Sequence, residues 1–163
     1  MPTSPAIATK QLTRRYGERL AVDALDLCVE RGEVFGFLGP NGAGKTTTIA
    51  MLLNLVRPTA GQALVLGYDV QREPMAALAR VGAMIEAPAF YPYLSGYDNL
   101  RVLCKAGGLP EARIAAALAA VELSERAYDK AQIYSQGMRQ RLALAAALLP
   151  DPELIILDEP TNG

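Results

Sequence analysis

No histidine and no tryptophan occur among the 163 residues, and cysteine appears only twice. Without an imidazole, the chain has no histidine base, proton shuttle or metal ligand of its own. Cys28 and Cys104 lie far apart, and residues 1–10 lack the charged-then-apolar pattern of an export signal. Two such thiols are expected to be buried or incidental rather than a disulfide. Long apolar runs are missing too. The longest, residues 142–149, falls far short of the roughly 20 residues that a bilayer helix needs. Positive charge is not in excess: the formal net charge is −1 and the pI about 5.5. That leaves no general basic surface for a nucleic-acid backbone. The expectation is a cytoplasmic chain that meets a membrane only through a partner.

What is present is a good supply of apolar side chains. Hydrophobic residues make up 51% and charged residues 20%, enough to bury a sizeable core and too apolar for a disordered chain. Leu25, Leu27 and Val29 alternate with Asp26, Cys28 and Glu30, the period of a half-buried strand. After a turn at Arg31 and Gly32, residues 33–38 read as a short apolar strand ending at Gly39. A helix is predicted from Gly44, with Ile49, Leu52, Leu53 and Leu55 on its apolar face and a stop at residues 58–61. Strands are predicted at 63–66 and 81–85, with a helix over 72–80 between them. Residues 87–96, rich in proline and aromatics, are expected to form an ordered loop. Helices follow over 97–106, 110–123 (with Pro110 in its first turn) and from Ser135 to about 149. Leu154, Ile155, Ile156 and Leu157 read as a wholly apolar strand, as in a parallel sheet covered on both faces. Strand and helix alternate, so the fold class is α/β, in a single domain.

Two motifs carry chemistry. Gly39-Pro40-Asn41-Gly42-Ala43-Gly44-Lys45-Thr46 matches G-x-x-x-x-G-K-S/T between a predicted strand and a predicted helix. Its glycines let backbone N–H groups turn inward around a phosphate, and the helix start aims its dipole at the same anion. Lys45 suits the β- and γ-phosphates, and the Thr46 hydroxyl suits Mg²⁺; Thr47 adjoins it. The expected ligand is Mg²⁺·ATP. In the second motif the apolar strand ends in Asp158 and Glu159. Asp158 suits a Mg²⁺ water shell, and Glu159 suits polarisation of an attacking water. Taken alone, the pair reads equally well as a solvated acidic turn.

Between these motifs, Tyr134-Ser135-Gln136-Gly137-Met138-Arg139-Gln140-Arg141-Leu142 resembles the signature motif of ABC ATPases. Asp158-Glu159-Pro160-Thr161-Asn162-Gly163 looks like the family's acidic motif and the approach to its D-loop. Tyr16 sits where the family's adenine-stacking aromatic is found, though a strand-end tyrosine would look the same. The resemblance spans nearly the whole chain. It implies a P-loop NTPase core (a RecA-like parallel sheet) with an N-terminal antiparallel β subdomain and a helical subdomain. Their expected extents are 1–86 for β subdomain and core, 87–149 for the helical part and 150–163 for the acidic-motif strand. The resemblance also implies an ATPase motor in a head-to-tail dimer. Ser135, Gln136 and Gly137 of one copy would then face the γ-phosphate held by the other. The membrane partner would be a separate transmembrane permease, with the chain peripheral on the inner face of the membrane and no nucleic acid involved.

Two positions depart from the common pattern. The family's signature usually reads Leu-Ser-Gly-Gly-Gln, and Glu86 stands where a glutamine is usual. Both departures resemble the branch of bacterial exporters for antibiotics, bacitracin and lantibiotic-type peptides, and Glu86 is a candidate Mg²⁺ ligand. In the family, a D-loop and a later strand with a switch histidine would follow Gly163. The sequence therefore reads as C-terminally truncated, leaving the acidic-motif strand with an open edge and ATP turnover poor. The competing readings are a soluble ABC ATPase acting on ribosomes or DNA, and a fragment that binds ATP without efficient hydrolysis. Residues 87–97 are a candidate docking surface for the permease or, equally, a plain packed loop.

Overall fold

The computed structural model describes residues 4–85 and 89–158. The chain divides into two compact units, Met1–Ala79 and Arg80–Gly163.

The first unit is built on an antiparallel sheet of strands β1 (Ile7–Tyr16), β2 (Arg19–Val29), β3 (Ala60–Val65) and β4 (Tyr68–Asp69), in the order β2-β1-β3-β4. β1 and β2 form a hairpin whose last pair is Tyr16 with Arg19. Leu25, Leu27 and Val29 turn inward on β2 as their alternation predicts. β1 has no such legible period, because it contains a bulge. Gln11 and Ala24 both take left-handed backbone angles, and the register shifts between Thr9 and Leu12. The Asp26 carboxylate fastens the bulge by accepting the Gln11 N–H at 2.6 Å.

Helix α1 (Lys45–Leu52) packs on β2 and β3, and Ile49, Met51 and Leu52 join Leu12 and Val65 among the buried side chains. It ends earlier than the sequence suggests: Asn54 adopts a left-handed angle just past the last turn, a common way to close a helix. Helix α2 (Pro74–Leu78) is likewise shorter than 72–80. Its approach is fixed by Asp69, whose carboxylate accepts bonds from Gln62 Nε2 and from the N–H groups of Gln71 and Arg72. Burial pushes the Asp69 pKa up, but these bonds outweigh it and hold the group below its ordinary value. A depressed folded pKa gives stability that is present above the unfolded value of about 3.9 and lost as pH falls through the folded one. Asp69→Asn should therefore flatten the loss of stability below about pH 4, read as the urea midpoint against pH.

The predicted strand at 33–38 does not form. No strand among the described residues pairs with it, and Val34 and Leu38 stand 101% and 91% exposed. An apolar run provides the side chains of a strand, but only a neighbour provides the ladder.

In the second unit, β5 (Val81–Met84) and β6 (Leu154–Leu157) pair in parallel, Val81 against Leu154 through Met84 against Leu157. Among the described residues β6 pairs with β5 alone, and Ile155 is 42% exposed. The face that bears Ile155 therefore lacks the expected cover among the described residues. Helices α3 (Gly96–Gly107), α4 (Arg113–Ala120) and α5 (Gln136–Leu148) surround a core that includes Leu100, Ile114, Leu118 and Leu142. α5 also packs on β5. Serines cap both α3 and α5: Ser95 Oγ accepts the Asp98 N–H at 3.0 Å, and Ser135 Oγ, at the helix start read from the sequence, accepts the Met138 N–H at 3.2 Å. Pro110 lies before α4 rather than in its first turn. Cys104 is buried in this core and Cys28 is exposed, and both are free thiols. No helix among the described residues is long and apolar enough to cross a membrane.

Candidate functional site

In the first unit the loop from Gly39 to Thr46 leads directly into α1. Gly42 and Gly44 have φ of 81° and 88°, so backbone turns there that an L side chain resists. At Gly44 space is closed as well: an added Cβ would strike the Ala21 carbonyl on β2. The hairpin thus braces the loop from behind and leaves its front open. A cleft of about 480 Å³ borders the loop, lined by residues that include Leu20, Val22, Phe37, Gly42, Lys45 and Thr48.

Two side chains hold the loop's shape. Thr48 donates its hydroxyl to the Gly44 carbonyl at 2.9 Å. The Lys45 ammonium folds back to donate to the carbonyls of Gly39 and Pro40, at 2.7 and 3.0 Å. Both acceptors are neutral, so an anion entering the loop would offer Lys45 a stronger partner. Thr46 is exposed and Thr47 half-buried. A left-handed glycine cradle at a helix start, with a lysine beside it, has the donor set for a phosphate chain. The exposed Thr46 hydroxyl adds an oxygen of the hard kind that Mg²⁺ takes. No group of three or more acidic or thiol ligands forms a metal site among the described residues. None is needed, because Mg²⁺ is commonly held by one or two protein groups and the phosphates themselves.

Tyr16 lies in the same unit, at the hairpin end, and the residue is 44% exposed. The Arg19 opposite it reaches toward the loop, its Nη2 3.9 Å from where a Gly42 Cβ would stand. Sequence reasoning missed the neighbour that matters most to Tyr16. The Arg14 guanidinium stacks over the ring at 4.3 Å from its centroid. The signal was there, in a cation and an aromatic two residues apart, but it has meaning only once β1 is known to be a strand.

The second unit carries the other candidates. Asp158 follows β6, is buried, and extends the pairing by donating its N–H to the Met84 carbonyl at 2.8 Å. Ser135, Gln136 and Gly137 are exposed at the start of α5. A Cβ on Gly137 would meet nothing within 4 Å, and its φ is ordinary. Glycine in a helix costs about 1 kcal/mol relative to alanine, and nothing in this unit's packing requires it there. The tyrosine that replaces the usual signature leucine has a structural reason: Tyr134 is fully buried and donates its hydroxyl to the Arg126 carbonyl at 2.6 Å. Burial raises its pKa, which keeps the donor protonated. Glu86 and Glu159 lie outside the described residues.

A glycine-braced loop entering a helix beside a lysine defines a P-loop nucleotide-binding protein. The chain belongs to the ABC transporter family, whose profile matches residues 22–162. It is 45% identical over 155 residues to the uncharacterised ABC transporter ATP-binding protein YhcH of Bacillus subtilis, covering 94% of this chain and 51% of YhcH. It is 43% identical over 158 residues to the bacitracin transport ATP-binding protein BcrA of Enterococcus faecalis, covering 96% of this chain and 51% of BcrA. The expected branch is thus represented among its relatives. A solved structure described as the ATP binding subunit of an ABC transporter superposes with a TM-score of 0.83 at 30% identity, over 96% of this chain and 67% of its own. The α/β P-loop class read from the sequence is the class found. The chain spans about half the length of the curated relatives it matches.

Proposed function

We propose that the chain is the ATP-binding part of the motor subunit of an ABC exporter. It would hold Mg²⁺·ATP on the loop of one copy and close that site with Ser135, Gln136 and Gly137 of a second. The observation that carries the reading is the loop itself, with its left-handed glycines, brace and inward-folded lysine. In this reading Lys45 and the loop N–H groups bind the phosphates, Thr46 and Asp158 (with Glu86 a further candidate) hold Mg²⁺, and Tyr16 stacks on adenine. Glu159 polarises water. Mg²⁺, when bound there, would supply neutralisation of phosphate charge. Turnover by the 163-residue chain alone is expected to be poor, because no histidine is present to orient water and γ-phosphate. Tyr91 and Tyr93, 51% and 65% exposed, suit contact with a transmembrane permease on the cytoplasmic face of the membrane.

The shared site is tested at Gly137. A side chain there meets open space within its own copy, so Gly137→Asp should fold normally and bind Mg²⁺·ATP within about 2-fold of the parent chain. Its ATP-driven self-association, followed by sedimentation with a non-hydrolysable analogue, should be lost. Association in the parent that the variant retains, or no association in either, would contradict the head-to-tail arrangement.

A further inference from the structure

We propose that Arg14 is a positioning residue for the nucleotide base, holding one face of the Tyr16 ring so that the opposite face is presented to the purine. The inference rests on the reading of Tyr16 as the base-stacking residue. Tyr16 is the last residue of β1 and precedes Gly17, whose φ of 55° turns the hairpin. A ring at a strand end, with so much of its surface open, has little of its own to fix it. Arg14 provides the fixture. Its guanidinium lies 4.3 Å from the ring centroid, within the range of a cation–π contact.

That guanidinium is itself anchored. Arg14 Nη1 donates to the Arg57 carbonyl at 2.8 Å. The segment bearing this carbonyl is tied to β1 twice more, by Thr59 N–H to the Thr13 carbonyl at 2.8 Å and by Arg15 N–H to Thr59 Oγ1 at 3.0 Å. Arg14 Nε is buried and has no hydrogen-bond partner among the described residues. A guanidinium that leaves a buried N–H unpaired is placed by something other than satisfaction of its donors. Here the ring and the Arg57 carbonyl place it. With one face of the ring taken by this cation, the opposite face is the one left for a base. A purine stacking there would complete a layer of guanidinium, phenol and base.

The test separates the base from the phosphates. Binding of Mg²⁺·ATP and of Mg²⁺·triphosphate, which lacks a base, is measured by calorimetry on the 163-residue chain and its variants. Arg14→Met is expected to weaken ATP by about 3- to 10-fold, the scale of a cation–π contact, and to leave triphosphate unchanged. Arg14→Lys keeps the charge but not the flat stack, and should behave like Arg14→Met. The double variant with Tyr16→Ala should bind ATP no worse than Tyr16→Ala alone. If Tyr16→Ala itself spares ATP, the reading of Tyr16 falls and the proposal with it. If Tyr16→Ala weakens ATP but Arg14→Met does not, only the role of Arg14 is overturned. Equal weakening of ATP and triphosphate by Arg14→Met would mark a general charge or folding effect. Full binding by Arg14→Lys would mean that charge and not stacking matters. Either result rejects the proposal.

Discussion

Lys45→Ala is expected to weaken Mg²⁺·ATP binding by about 10- to 150-fold, the equivalent of one lost charge-assisted hydrogen-bond set of roughly 1.5–3 kcal/mol. The Lys45 ammonium now bonds two carbonyl oxygens of its own loop. A phosphate oxygen carries formal charge and competes well for the same donors. Losing the ammonium removes the mobile cation from the loop and leaves only its fixed N–H groups. Folding should barely change, because these loop bonds are exposed and surface substitutions of that kind move stability within about 0.5 kcal/mol. Calorimetry for binding and a urea midpoint for stability, taken on the same variant, check both halves of the expectation.

Gly44→Ala should act in the opposite way, through the fold first. Its backbone angle costs a non-glycine residue about 1–2 kcal/mol, and the new Cβ is driven against the Ala21 carbonyl. Overpacking against rigid backbone adds about 1–3 kcal/mol, so a total loss of roughly 2–5 kcal/mol is expected. Gly44 also caps α1 and supplies the carbonyl that both the Thr48 N–H and its hydroxyl reach. ATP affinity should therefore fall together with stability, whereas Lys45→Ala lowers affinity alone. A lowered urea midpoint with unchanged affinity would mean that the loop's shape does not depend on this brace.

The contrast between these residues explains how much the sequence could reveal. The phosphate loop and the serine-led start of α5 are local, set by residues within a turn of one another, and both were legible; the Ser95 cap of α3 is as local but was read as part of the loop before it. The strand β6 was legible from its four apolar residues, although its exposure was not. Pairing is different in kind. The run at 33–38 has the side chains of a strand and no described partner, whereas β1 has partners on both sides and an alternation broken at Gln11. The two errors have one cause: a ladder depends on chain remote in sequence. The same blindness hid Arg14, whose contact with Tyr16 exists only because the bulged β1 brings both side chains together. Tyr134 looked like a departure from a motif until its buried hydroxyl was seen to satisfy the Arg126 carbonyl. Glu86 and Glu159, both named from the sequence, lie outside the described residues.

The central claim is that residues 39–46 hold Mg²⁺·ATP. Backbone amide spectra of the isotopically labelled chain, titrated with a non-hydrolysable Mg²⁺·ATP analogue, test it most directly. The N–H signals of Gly42, Gly44, Lys45 and Thr46 should shift in a saturable manner, and the same titration of Lys45→Ala should need a far higher concentration. If those four signals stay in place while others move, or nothing moves at all, the loop is not the nucleotide site.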